Sequence, residues 1–134
     1  MAGFYMKKIT AEWLKAAQDD LRVMEKLLGD ELLTHMVAFH AQQCLKKSLK
    51  AIIEEFEIGS VRIHHLVRLF EMAKDHLEID LDPVLIEKLD KLYLDTRYPG
   101  ELGLLPEGKP SLSDSEEFYR TADLVYKAIM ARLA

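Results

Sequence analysis

His40, Gln43, Lys46, Lys47 and Lys50 follow one another at helical spacing along one polar face of the stretch His35 to Phe56. His64 opens a later helix, and Arg97-Tyr98 close another just before Pro99. Guanidinium and ammonium groups suit phosphate oxygens, and an aromatic ring offers a face on which a base can stack. Gathered around one cleft, these eight residues would bind a nucleotide or another phosphate. The competing reading is a solvated lysine face, with Arg97 serving the negative end of a helix dipole as a cap.

Other chemistries are poorly supplied. A di-iron site in a helical bundle needs Glu-x-x-His on facing helices, and that pattern does not occur. His40 and Cys44 stand at i,i+4 without an evident third ligand, so no metal and no cofactor is expected. There is no Gly-rich phosphate loop ending in Lys-Ser/Thr and no nucleophile elbow. The single cysteine, Cys44, excludes an intrachain disulfide, and its wheel position is that of a small buried hydrophobe.

The elements that must position the polar residues are all helical. His35 to Phe56 holds neither Gly nor Pro, and Val37, Ala38, Ala41, Cys44, Leu45, Ser48, Leu49, Ile52 and Phe56 share its other, apolar face. This is the central helix, with one polar wall. Gln42 falls at the edge of the apolar face, so its amide is expected to bond a neighbouring helix or a second copy of the chain.

A first helix is expected from Thr10 as N-cap to Gly29 as the residue after the C-cap, with Trp13 or Leu14, Ala17, Leu21, Met24 and Leu28 inward. Asp19, Asp20, Arg22 and Lys26 read as solvated. The short connection to Thr34 makes the first two helices antiparallel. A third helix carries Leu66, Leu69, Phe70, Ala73 and Leu77 as its stripe, with His64 turned to solvent or a cleft. Asp82-Pro83 starts a fourth, which runs to about Thr96 with Leu85, Ile86, Leu89, Leu92 and Tyr93 inward. Residues 99–112 hold three of the four prolines and three of the six glycines and read as a long loop. Ser113 and Glu116 suggest a capping box for the last helix, whose inward residues are Phe118, Ala122, Val125 and Ile129.

Five helices without a credible strand make an all-α, up-and-down bundle of four to five helices. At 134 residues the chain is one domain, 1–134, with 1–8 read as disordered or tag-derived and Met6 as a natural start. No stretch spans a membrane and no signal peptide is evident, so a cytoplasmic protein is expected. The net charge of −5 speaks against indiscriminate nucleic-acid binding, although a local basic wall can still hold a phosphate.

Several fragments in order resemble one family: Trp13 with Ala17 and Asp20-Leu21, Phe39 with Gln42-Gln43, Lys46 with Lys50-Ala51, His64-x-Leu66, and Tyr93 with Arg97-Tyr98-Pro99. Together they are similar to HEPN domains (higher eukaryotes and prokaryotes nucleotide-binding). The resemblance implies a helical bundle that forms a homodimer, with a cleft for nucleotide or RNA. Members are often paired with a minimal nucleotidyltransferase in toxin-antitoxin-like modules. RNA-cleaving members carry Arg followed four to six residues later by His. Here no His follows Arg97, and neither Arg62 nor Arg68 has one at that offset. Leu45-Lys46-Lys47 also stands where an acidic residue often precedes the family lysine, which leaves the wall more basic. The expectation is therefore a non-catalytic binding module, the alternatives being a nuclease that joins Arg97 and His64 in space, or an accessory subunit that only binds its partner.

Overall fold

The computed structural model describes residues 6–97 and 109–134, with the side chains of 92–97 left out. Tyr98 and residues 99–108 of the long connection lie outside the described residues, as do residues 1–5. Among the described residues the chain forms α1 (Lys8–Leu27), α2 (Thr34–Glu55), α3 (Leu66–Ala73), α4 (Pro83–Arg97) and α5 (Leu112–Leu133), with a single 3-10 turn at Lys74–His76 and no strand. Helix α2 packs against all four other helices.

Helix directions follow from which ends touch. Thr10 near the start of α1 donates to Glu55 at the end of α2 (2.9 Å), while Asp20 farther along α1 reaches His40 and Lys47. The pair is therefore antiparallel. Helix α5 runs the same way as α2, since Lys109 just before it donates to the Leu32 carbonyl (2.9 Å) and Arg132 near its end lies 4.7 Å over the Phe56 ring. Leu14, Ala17, Leu21 and Met24 of α1 meet Phe118, Ala122, Val125 and Ile129 of α5 and the apolar side of α2 in one core. Each such side chain contributes roughly 1.5–3 kcal/mol on burial.

Three helix starts differ from the sequence reading, each for a local reason. Thr10 does not cap α1 but lies inside it, fully buried; the Lys7 backbone N–H and the Thr10 hydroxyl both donate to Glu55 Oε1 (2.9 Å each). Residues Lys7 and Lys8, read as outside the fold, belong to it. Helix α5 starts two residues early: Ser111 Oγ accepts from the Asp114 N–H (3.0 Å) and Asp114 Oδ2 accepts from the Ser111 N–H (3.2 Å), so aspartate plays the part assigned to Glu116. Helix α3 is capped by another helix altogether. Asp90 of α4, 8 % exposed, accepts from Leu66 N–H (2.9 Å) and Val67 N–H (3.3 Å). The Asp82-Pro83 start holds, with Asp82 Oδ1 accepting from Val84 N–H at 3.0 Å.

The helix ends show which residues carry left-handed backbone. Gly29 follows α1 at φ +89°, as a residue without Cβ readily does. After α2 that position falls on Glu57, at φ 51°, not on Gly59. Ile58 N–H bonds the Ile53 carbonyl (3.0 Å) and Glu57 N–H the Glu54 carbonyl (3.3 Å), the two bonds of a Schellman motif. A residue with Cβ costs roughly 1–2 kcal/mol in this region, partly offset by the entropy that glycine would lose on folding. Glu57→Gly is accordingly expected to stabilise the protein by up to about 1 kcal/mol in urea denaturation, and a loss of stability would show that Glu57 is held by more than its backbone.

Candidate functional site

The central helix is enclosed far more fully than its polar wall suggests. Lys46 is only 7 % exposed and Lys50 3 %, so the lysine face is neither solvated nor a single wall. A buried ammonium must find compensation nearby or lose its charge. The structure divides the predicted residues between two neighbours.

On the α1 side, Asp20 bridges two of them. Its Oδ1 lies 2.8 Å from His40 Nδ1 and its Oδ2 accepts from Lys47 Nζ at 2.9 Å. The carboxylate side chain is 8 % exposed, so the sequence reading of Asp20 as solvated is wrong. Its spacing from Ala17 and Met24 continues the inward stripe of α1, the one signal that placed it inside. His40 and Lys47 are thus already paired within the protomer, and the ring of His40 also makes an edge contact with Phe39 (centroids 5.2 Å).

On the other side, Lys50 Nζ sits 3.2 Å from His64 Nδ1 and 5.3 Å from the centre of the Trp13 ring. Neither partner is an anion, and burial alone holds the Lys50 amine below its ordinary value. His64 is exposed, as expected, and its ring faces the lysine through Nδ1. The indole Nε1 of Trp13 is buried without a hydrogen-bond partner among the described residues. Trp13 and Lys50 therefore form a corner rich in donors and poor in acceptors.

Gln42 is fully buried, but its amide does not reach another helix. Its Oε1 accepts from the adjacent Gln43 Nε2 at 2.7 Å, and its own Nε2 has no partner among the described residues. Gln43 is thereby committed to its neighbour. Arg97 closes α4 as the last helical residue, its side chain outside the described set, and Tyr98 lies beyond it. The proximity of these two to Lys50 and His64 stays an expectation.

Cys44 lies fully buried on the opposite side of α2, its Sγ 4.0 Å from Ser48 Oγ. Burial pushes its thiol up to about 12, leaving it neither a nucleophile nor a metal ligand at neutral pH. Among the described residues no cluster of His, Cys, Asp and Glu is fit to hold a metal ion. No helix there is long and apolar enough to cross a membrane.

The Asp20 bridge yields a direct test. Asp20→Ala strands an ammonium and an imidazole in a tight helix interface, and because His40 and Lys47 keep 20 % and 26 % side-chain exposure, the loss should be about 2–3 kcal/mol, below that of a fully buried pair. Adding Lys47→Met should recover part of it. Chemical denaturation of the two variants checks both numbers. Native Cys44 should also resist a disulfide reagent at pH 8 and react only on unfolding.

Comparison with known proteins gives one answer. No curated protein and no solved structure matches significantly. The family model described as "HEPN domain" matches residues 10–132, from the buried Thr10 of α1 to Arg132 of α5, and so takes in nearly the whole of the bundle just described. The chain belongs to the HEPN domain family.

Proposed function

We propose that this protein is a non-catalytic nucleotide- or RNA-binding module in which Lys50, His64 and Lys46 on one side of α2 receive a phosphate, joined by Arg97 and Tyr98 at the end of α4. The observation that carries it is Lys50: 3 % exposed, with an aromatic face and an imidazole as its neighbours and no carboxylate among the described residues. A cation kept under a desolvation penalty and without a counterion has much to gain from an anion arriving from outside. The family supports the ligand class, since HEPN domains are nucleotide- or RNA-related modules. Absence of an Arg-x4–6-His pair in the sequence supports binding without cleavage.

His40, Gln43 and Lys47 complete the proposed ligand set only at its rim. Lys47 and His40 share Asp20, and Gln43 holds Gln42, so each would have to give up a bond to contact ligand. Their weight in binding should be smaller than that of Lys50. The protein would act as a homodimer beside a minimal nucleotidyltransferase in a toxin-antitoxin-like pair, a reading supported by the family pattern alone.

Titration calorimetry with ATP, GTP and short RNA separates site from scaffold. Lys50→Met should abolish binding while leaving thermal stability unchanged or higher, because it replaces a desolvated amine by an apolar chain of similar length. The pH dependence has a definite sign. A lysine whose folded value is lowered penalises the fold while charged in the unfolded chain, so stability should rise as pH climbs from the lowered folded value toward the ordinary 10.5, and Lys50→Met should remove that rise. Arg97→Lys should weaken binding more than tenfold, about 1.4 kcal/mol, with little change in melting temperature. Absence of heat with every ligand near millimolar concentration would defeat the nucleotide reading.

A further inference from the structure

The first turn of α2, at the opposite end of the helix from Lys50, holds a second group of donors without acceptors. Its N-cap, Leu33, offers no side-chain bond, and among the described residues no acceptor meets the backbone N–H of Thr34 or His35. An open helix start is common and settles nothing by itself. Here, however, Thr34 is 1 % exposed and its hydroxyl has no partner, and the next residue, His35, has a buried Nδ1 likewise without one. Among the described residues only four buried side-chain polar atoms lack a partner, and two of them are these neighbours. An unpartnered buried hydroxyl is costly and calls for an explanation.

A cation stands beside them. Lys109 donates from Nζ to the Leu32 carbonyl (2.9 Å), two residues before the helix, across 77 positions of sequence. Burial and then the charge of Lys109 hold His35 below the ordinary imidazole value, and no carboxylate is among the causes. The nearest acid in sequence with a fixed role, Asp30, has Oδ1 committed to the Leu32 N–H at 2.9 Å. Two backbone N–H groups, a hydroxyl and an imidazole therefore belong to the positive end of a 22-residue helix dipole, with the Lys109 ammonium on the carbonyl two residues before it.

We propose that Thr34, His35 and Lys109 form a separate binding site for a phosphate monoester. A diester has one charge and two free oxygens, too few for this set of donors. A monoester or free phosphate brings about two charges and three or more acceptor oxygens at neutral pH. Entry requires Lys109 to leave the Leu32 carbonyl, a single exposed hydrogen bond, after which the same ammonium closes over the anion. The site is about 22 Å along α2 from Lys50 at 1.5 Å per residue, so the two can be occupied independently.

Amide spectra of the full chain, titrated with inorganic phosphate, AMP and adenosine, test this. Saturable shifts of the Thr34 and His35 amides are expected with phosphate, at a Kd of about 1 mM or tighter, and none with adenosine. A matching response to AMP is expected and identifies a nucleotide's terminal phosphate as a fitting source, whereas a response to phosphate without one to AMP would overturn the monoester assignment. Lys109→Met should weaken the response about tenfold or more. Thr34→Val, which swaps the unpartnered hydroxyl for a methyl, should keep or raise the melting temperature and weaken the response about threefold. Lys50→Met should leave it unchanged, so the failure of either site is seen separately. Shifts that do not saturate, or that are the same in Thr34→Val and Lys109→Met as in the native protein, would overturn the proposal.

Discussion

The structure depends on one constraint: α2 is packed by other helices on every side, yet its sequence places three lysines and a histidine within eleven residues. Each of these polar groups must be matched by whatever element covers it, because a charge taken out of water without compensation costs several kcal/mol. Helix α1 meets this by sending Asp20 into the interface to His40 and Lys47. Around Lys50 it sends the face of Trp13, and the approach to α3 brings His64. The register of α1 on α2 is set as much by these polar contacts as by the leucines beside them.

The same economy operates at the helix ends. Glu55 from the end of α2 receives the N–H of Lys7, and Asp90 from α4 caps α3, so helices are closed by their neighbours as well as by their own caps. At the foot of the bundle Phe56 lies between the His76 ring (4.8 Å, nearly parallel) and the Arg132 guanidinium. That stack ties α2, the 3-10 turn and α5 together where the Schellman turn redirects the chain. A cap supplied across 24 positions of sequence couples α3 to α4, so the two should be lost together on unfolding.

For function, the division of the polar face matters more than its total charge. A paired cation such as Lys47 offers little to a ligand, since binding must first break the existing bridge; one held only by a ring face and an imidazole, such as Lys50, keeps more of its interaction to offer. The basic wall read from the sequence is therefore bridged by a carboxylate on one side and left without a counterion among the described residues on the other. HEPN membership supports a nucleotide- or RNA-related module, and this asymmetry is what the proposed site rests on.

Much of the fold was legible in the sequence, because it rests on short-range rules. Periodicity at three and four residues marked the five helices, Asp82-Pro83 and Gly29 marked their boundaries, and the inward residues Ala17, Leu45, Leu69, Phe118 and Val125 are all buried. The burial of Cys44 and the absence of the cleaving motif were equally readable. What the sequence did not reveal is which polar residue faces which. A wheel separates apolar from polar positions but assigns the polar ones to solvent by default, so Asp20, Lys46 and Lys50 were placed on a polar face although each is more than nine-tenths buried. Their positions depend on partners 20 to 37 residues away, such as Asp20 with His40 and Trp13 with Lys50, and pairings at that separation exist only once the helices have docked.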